Sequence, residues 1–338
     1  GGILALYALV RRYKSKWIVY AAIIGCASLL ADGFITPPIS IASAIEGLEN
    51  IPSISHSIKP YIIPIVLGIL IGLFVFQQFG THIIGRVFGP IMFIWFTMMI
   101  VLGMNQIFSY PAVIESLNPY YAINLLVNHP GGFWLLGGVF LCTTGAEALY
   151  SDLGHVGKKN IQASWIFVKI ALIINYLGQS AWMINHEGQS LDDKSPFYLI
   201  MPEWFLPIGV AIAAFATIIA SQALITGVFT LSNEAMKLKL WPNVKVNFPS
   251  QLKGQIYIPA MNWILMFGCI TVVLLFKESS NMEAAYGLAI TVNMLMTTSL
   301  LSRYLVIKRR PLIFIIFFLL IYISIEGSFL VSNILKFF

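Results

Sequence analysis

Long runs of apolar residues, separated by short polar segments, recur along the whole chain. A helix needs about 20 predominantly apolar residues to cross a bilayer, and most of these runs approach or reach that length. We therefore predict an all-α polytopic membrane protein with about ten membrane-spanning helices, the last two of them short. The predicted spans are Trp17–Ile45, Tyr61–Phe79, Gly89–Phe108, Phe133–Tyr150, Ile161–Ile184, Trp204–Thr230, Asn262–Phe276, Met282–Ser302, Leu312–Ser324 and Gly327 to the end.

The composition supports this class, and the chain ends add one expectation. The chain is 58% hydrophobic and 10% charged, whereas soluble domains are about 25% charged. Its three cysteines lie in apolar spans without zinc-ligand spacing, so neither a disulfide framework nor a metal cluster is predicted. The first residues, Gly1-Gly-Ile-Leu-Ala-Leu, are typical of the tail of an earlier helix or of a loop after one.

Positive charge is distributed unequally between the two sides of the predicted bundle. If the helices alternate in direction, fifteen of the twenty Lys and Arg residues fall on one side, against Lys59, Lys194 and Lys277 on the other. The positive-inside rule then places the Gly1 end in the cytoplasm and the chain in a cell membrane. The net charge of +6 follows from this topology. No basic segment is interleaved with aromatic residues, so no nucleic acid partner is expected.

Asp32 is the single charged residue inside the first predicted span. A carboxylate at bilayer depth costs at least about 2.5–3.5 kcal/mol on insertion scales, which favours a functional role. Asp32, Thr36 and Ser40 are spaced by four residues and would share one face of a continuous helix. Their carboxylate and hydroxyl oxygens suit a hard cation; a protonated Asp32 bonded to nearby backbone is the alternative. Three residues of this segment are expected to loosen the helix: Gly33, Pro37 and Pro38.

A second carboxylate, Glu147, lies towards the cytoplasmic half of the fourth predicted span. Thr144 precedes it by about one helical turn, and Gly145 predicts a break in the helix. Discontinuous helices that bring such groups to the midplane are typical of secondary-transporter sites. A buried acid that fixes helix packing is the alternative. Two further acidic residues, Glu283 and Glu326, are predicted close to outer helix ends, where they would snorkel or pair.

No sequence motif supports an enzyme or a resident cofactor. The chain contains no HExxH, no GxSxG and no P-loop, and its glycine pairs are read as packing or turn residues. Without a nucleotide site, uphill transport by this chain would depend on an ion gradient or on the membrane potential. That potential is worth about 2.3 kcal/mol per 100 mV for a monovalent cation.

Six segments resemble, in order, the motifs of the KUP/HAK/KT potassium uptake permeases, and the chain is identified as a member of that family. The resemblance implies the fold of the amino acid–polyamine–organocation superfamily, with two inverted five-helix repeats and two further helices. The predicted spans would be family helices three to twelve. Residues 1–338 would then form one transporter domain that lacks the first two helices and the C-terminal cytoplasmic domain. The segments are Ala31–Leu48, Phe88–Met92, Thr144–Tyr150, Asn175–Gln179, Gly254–Ala260 and Ala284–Ala289.

The resemblance also implies a function and a site. Family members are similar to potassium/proton symporters that work by alternating access. Asp32, Thr36 and Ser40 match potassium-site positions on the third family helix, and Thr144 and Glu147 match positions on the sixth. Glu147 and Asp32 are the implied proton-coupling residues. The expected partners are membrane lipid, potassium ions and protons, with a homodimer left open.

Three other functions stay open at this point. A permease for amino acids or polyamines would share the fold and differ in cargo. A passive potassium channel would carry a TVGYG-type filter, which the sequence lacks. An intramembrane enzyme would use Asp32 and Glu147 as an acid/base pair, but no nucleophile or metal motif accompanies them. The first motif segment, Ala31–Leu48, departs from the usual family pattern at two positions. Ala31 stands where glycine is usual, and Pro38 stands where alanine is usual. Neither difference removes a proposed ligand.

Overall fold

The computed structural model describes residues 2–13, 16–79, 82–145, 157–191, 194–248 and 256–337. These residues form α-helices joined by turns, 3₁₀ segments and one isolated β-bridge. In chain order the helices are α1 Gly2–Val10, α2 Lys16–Glu46, α3 Ser55–Phe76, α4 His82–Ser109, α5 Pro119–Asn128, α6 Gly132–Leu141, α7 Lys158–Asn185, α8 Pro196–Leu199, α9 Leu206–Lys237, α10 Pro259–Phe276, α11 Ser279–Ile307 and α12 Leu312–Phe337.

Eight of these helices are long and apolar enough to cross a membrane, namely α2, α3, α4, α7, α9, α10, α11 and α12. The apolar helix α6 is shorter, at 10 residues. The prediction of an all-α polytopic membrane protein is confirmed at this level. The first residues also form a helix, α1, whose Ile3, Leu4 and Val10 are buried in a cluster with Ile18 of α2.

The prediction of two short spans at the end of the chain is wrong. Leu312–Ser324 and the segment from Gly327 onward belong to one helix, α12, of 26 residues. Glu326, expected near an outer helix end, lies inside this helix and is 3% exposed. Its carboxyl group accepts a hydrogen bond of 2.7 Å from Thr298 of α11. Because a neighbouring helix provides this partner, the chain does not have to leave the membrane at Glu326.

The largest apolar cluster lies where α2, α3, α9 and α10 meet. Leu70, Phe74, Phe229 and Leu265 are fully buried there, and Ile41 of α2 packs among them. Besides these neighbours, α2 contacts α1 and α11. Helix α2, which carries the first candidate site residues, therefore contacts five other helices.

Helices α4 and α7 pack closely against each other through two kinds of contact. At one level, Gly103 faces Gly178, and a Cβ atom on Gly178 would lie 2.7 Å from the Gly103 carbonyl oxygen. Nearer the start of both helices, the rings of Phe93 and Phe167 stack with their centroids 5.4 Å apart. Small residues at such crossings let helix backbones approach within the membrane. The two helices thus form one closely packed pair.

Candidate functional site

Asp32 lies near the middle of α2 and is 3% exposed. The helix has 31 residues, which corresponds to about 46 Å at 1.5 Å per residue. The Thr36 hydroxyl, one turn further on, donates a hydrogen bond to Asp32 Oδ1. Ser40 follows after another turn and is half-buried. The spacing of four residues therefore places an acidic and a hydroxyl group in contact, as the sequence predicts.

The expectation that prolines would loosen α2 is wrong, because the helix continues through both of them. Pro37 and Pro38 lack the N–H groups that would bond the carbonyls of Gly33 and Phe34 four residues earlier. The Gly33 carbonyl instead accepts a hydrogen bond from the Cys269 thiol of α10, with Sγ at 3.7 Å. A neighbouring helix thus supplies a hydrogen-bond donor in place of the N–H group that proline lacks. Proline is tolerated in membrane helices under this condition.

The backbone next to Asp32 is packed tightly against two other helices. A Cβ atom at Gly33 would lie 2.7 Å from Val228 Cγ2 of α9 and 3.5 Å from Leu265 Cδ2 of α10. Because Val228 and Leu265 are themselves buried, they have little room to move aside. Glycine is therefore required here by the close approach of α9, in a helix that needs no unusual backbone angle.

Sequence reasoning missed one candidate ligand in this segment, the backbone carbonyl of Phe34. Pro38 deprives that oxygen of its usual helical donor, and it lies two residues from Asp32. Carbonyl oxygens released from helical bonding are cation ligands in transporter sites. The signal was present in the sequence, since the proline identifies the freed oxygen four residues earlier.

Thr144 lies just beyond the end of α6. The helix ends at Leu141, and Thr143 and Thr144 donate hydrogen bonds to the carbonyls of Phe140 and Leu141 at 2.8 and 2.9 Å. Gly145 has a φ of +104°, a conformation that glycine adopts at no steric cost. Helix α6 therefore ends four residues before Gly145, close to the predicted break. Glu147, the other predicted site residue of this span, lies outside the described residues.

Helix α7 holds the broken end of α6. The Tyr176 hydroxyl donates a hydrogen bond to the Cys142 carbonyl at 3.3 Å, and the preceding residue, Asn175, is buried. Carbonyls in the last turn of a helix lack intrahelical partners and need such donors. Tyr176, which lies in the motif segment Asn175–Gln179, is therefore a supporting residue for the Thr144 segment.

The two halves of the predicted site lie on separate elements that share one neighbour. Helix α6 packs against α5, α11 and α12, whereas α2 packs against α11 as well as α1, α3, α9 and α10. The described hydrogen bond of Thr144 stays within its own turn, to Leu141. Helix α11 is thus a described helix that contacts both α2 and α6.

The C-terminal end of α2 is fixed by polar contacts that the sequence did not reveal. Glu46 accepts a hydrogen bond of 2.8 Å from the backbone N–H of Ser279, at the start of α11. The Tyr198 hydroxyl lies 3.3 Å from the carbonyl oxygens of Ser43 and Ala44. Burial raises the pKa of Tyr198, with a smaller contribution from the charge of Glu46, so its phenol stays protonated and donates. Glu283 pairs with Lys336 at the same end of α11, as expected.

Comparison with known proteins identifies the relatives of this chain. A family model described as the K+ potassium transporter integral membrane domain matches residues 1–338. A probable potassium transport system protein Kup of Flavobacterium johnsoniae is 56% identical over 343 residues, covering 100% of this chain and 52% of the relative. Proteins of the same description from Cytophaga hutchinsonii and Clostridium perfringens are 54% and 49% identical, with the same coverage.

The chain spans about half the length of the curated relatives it matches. The family match extends over every one of the six motif segments, from Ala31–Leu48 to Ala284–Ala289. The resemblance to potassium uptake permeases is therefore confirmed, and the chain belongs to the K+ potassium transporter family.

Proposed function

We propose that the intact protein takes up potassium ions across a cell membrane by alternating access. The observation that carries the proposal is the buried Asp32 near the middle of α2, with its hydrogen bond from the half-buried Thr36. A carboxylate at this depth is costly and marks an ion pathway by default. In a chain of the potassium transporter family, a potassium ion is the cargo that this oxygen-rich pair fits best.

The proposed site combines one negative charge with several neutral oxygens. A potassium ion that leaves water needs oxygen ligands to replace its hydration shell. Asp32 supplies charge, and the hydroxyls of Thr36 and Ser40 supply oxygens along the same face of α2. Thr144 and Glu147 complete the proposed set from the α6 side.

Proton coupling follows from the chemistry of the two carboxyl groups. When Asp32 or Glu147 binds a proton, the negative charge that must cross the membrane with the site decreases, which couples the two fluxes. A carrier that binds both ions on one side and releases both on the other is a symporter. The membrane potential, negative inside, would drive this uptake. It contributes about 2.3 kcal/mol per 100 mV for each positive charge that enters.

We further propose a bacterial inner membrane as the location, with the Gly1 end in the cytoplasm. Two contacts support the alternating directions of the helices on which this topology rests. Glu46 bonds to Ser279, and Glu283 pairs with Lys336, so each contact joins helix ends that alternation assigns to the outer side. Lys336 thereby joins the few basic residues outside, and the excess of positive charge inside remains large.

Rubidium uptake tests the proposal in bacteria that lack their own potassium transporters. The intact protein is expressed alongside Asp32→Asn and a control, Glu115→Gln, in which an exposed acid is changed. We expect saturable uptake that potassium blocks and a loss of about 10- to 100-fold in Asp32→Asn, since a hydrogen-bonded charge is worth about 1.5–3 kcal/mol. The control should transport normally.

Two outcomes would replace this proposal by its rivals. A well-expressed protein without rubidium uptake would favour an amino-acid or polyamine permease, and radiolabelled competition would identify the cargo. Currents far above carrier turnover would favour a channel. Proton coupling is tested separately in proteoliposomes, where Asp32→Asn and Glu147→Gln should each reduce potassium-driven proton uptake. Unchanged proton uptake in both variants would exclude the symport mechanism.

A further inference from the structure

Glu326 is a second carboxyl group at membrane depth, on a helix that the proposed potassium site does not use. It follows the first residue of α12 by 14 residues and precedes the last by 11, or roughly 21 Å and 17 Å along the axis. Its side chain is 3% exposed. The carboxyl group therefore lies near the middle of a helix that is long enough to cross the membrane.

The two carboxyl oxygens of Glu326 have different surroundings. Oε1 accepts the hydrogen bond of 2.7 Å from the Thr298 hydroxyl. Oε2 is buried and has no hydrogen-bond partner among the described residues. One neutral hydroxyl does not compensate for removing a full negative charge from water, which costs several kcal/mol even after relaxation. The ionised form is therefore poorly accommodated at this position.

The elements packed against α12 offer no counter-charge to this group in the described residues. Helix α6 contains no ionisable residue between 132 and 141. On α12 itself, Tyr322 is exposed and packs against Phe318, and Lys336 pairs with Glu283 at the far end. Helix α11 carries four charged or titratable residues: Glu283, Tyr286, Arg303 and Tyr304.

None of these four residues stands beside the carboxyl group. Glu283 and Tyr286 precede Thr298 by 15 and 12 residues, roughly 18 Å or more along the axis. Arg303 is exposed and follows Thr298 by five residues, roughly 140° around the helix. Tyr304 packs with the cluster formed by α1 and α2. The described ion pairs accordingly include none with Glu326.

A metal ion shared with other oxygens of this interface does not fit the geometry. Asn333 also has a buried oxygen without a partner, but that oxygen contacts Gly287. Gly287 and Thr298 are 11 residues apart on α11, roughly 16 Å along the axis. A bound cation holds its oxygen ligands within about 2–3 Å, so one ion cannot join Asn333 to Glu326.

We propose that Glu326 binds a proton at membrane depth, and that the neutral acid is the state in which α12 packs against α11. The proton is held at Oε2, while Oε1 remains the acceptor for Thr298. This is an association of one proton with one carboxylate, without a co-reactant. The site is separate from the pair of Asp32 and Thr36, and it would exist whether or not the cargo is potassium.

Infrared spectroscopy of the purified intact protein in lipid nanodiscs tests this proposal. At neutral pH we expect the C=O stretching band of a protonated carboxyl group, absent in Glu326→Gln. Thr298→Val should retain the band and shift it to higher frequency, because the C=O group loses its hydrogen bond. Glu283→Gln, which changes a partly exposed and paired acid, should leave the band unaltered.

Three results would overturn the proposal. The first is a protonated-carboxyl spectrum that neither Glu326→Gln nor Thr298→Val changes. The second is the loss of ionised-carboxylate bands in Glu326→Gln. The third is a carboxylate band of Glu326 that potassium or sodium displaces, which would show a cation instead. If Glu326→Gln does not fold, the frequency shift in the near-isosteric Thr298→Val decides. Because transport is not measured, failure here leaves the proposed uptake function untouched.

Discussion

Two segments of the molecule each contain a glycine beside a proposed site residue, yet the helix continues through one segment and ends at the other. Around Asp32, a glycine and two prolines lie within α2, which continues to Glu46. Around Thr144, a glycine follows the end of α6 at Leu141, and residues 132–145 contain no proline. Counting helix-breaking residues would therefore have assigned the interruption to the wrong segment.

The difference lies in the donors that satisfy backbone carbonyls. In α2, the thiol of Cys269 takes the place of the N–H group that Pro37 lacks. After α6, the hydroxyls of Thr143, Thr144 and Tyr176 bond carbonyls that a further helical turn would otherwise occupy. A membrane helix continues or ends according to which donors reach its carbonyls.

The largest effect is expected where α2 depends on close packing. Gly33→Leu would drive a side chain into Val228 and Leu265, and overpacking of this kind costs about 1–3 kcal/mol or more. Thermal unfolding of the intact protein in detergent should show a clear loss of stability. The control is Gly68→Leu on α3, where a Cβ atom meets nothing within 4 Å. Equal stability of the two variants would contradict the packing argument.

The two threonines of the proposed site are expected to differ in how much each contributes to potassium binding. Thr36→Val removes a hydrogen bond to a carboxylate, worth about 1.5–3 kcal/mol, and should weaken potassium competition for rubidium uptake about 10- to 100-fold. Thr144→Val removes a neutral bond worth about 0.5–1.5 kcal/mol, which corresponds to about tenfold or less. Thr36→Ser keeps the hydroxyl and should restore uptake. Equal losses in the two valine variants would mean that the α2 segment and the α6 end contribute equally to potassium binding.

The support that α7 gives to the α6 end should be visible in hydrogen exchange. Tyr176→Phe removes one hydrogen bond and about 0.5–1.5 kcal/mol, so amides of 142–145 should exchange faster, while amides near Asp32 do not change. Tyr20→Phe, at an exposed tyrosine, serves as the control. Unchanged exchange at 142–145 would show that the α6 end is held by its threonines alone.

The smallest effect concerns the thiol that bonds α2. Cys269→Ala should cost less than about 1 kcal/mol beyond the loss in Cys26→Ala, because S–H···O bonds are weak. Cys26 is buried in another cluster, so the pair separates the hydrogen bond from the lost sulfur volume. Identical unfolding temperatures for both variants would show that the hydrogen bond of Cys269 does not stabilise α2.

The sequence predicted features that depend on residues close together in the chain. Asp32 and Thr36 are four residues apart, so helical geometry alone brings them into contact. The break near Gly145 follows from the residues at that point. By contrast, Cys269 is 236 residues from Gly33, and nothing local to the prolines indicates it. The sequence pattern predicts two short spans in place of α12, because Thr298, the partner of Glu326, lies 28 residues away.

The close pairing of α4 and α7 has a mechanical consequence. Glycines bring the two backbones together at one level, and stacked phenylalanines join them at another, so the pair resists both sliding and splaying. Since Tyr176 of α7 also donates a hydrogen bond to the carbonyl of Cys142, a tilt of this pair would be transmitted to the end of α6 through that bond.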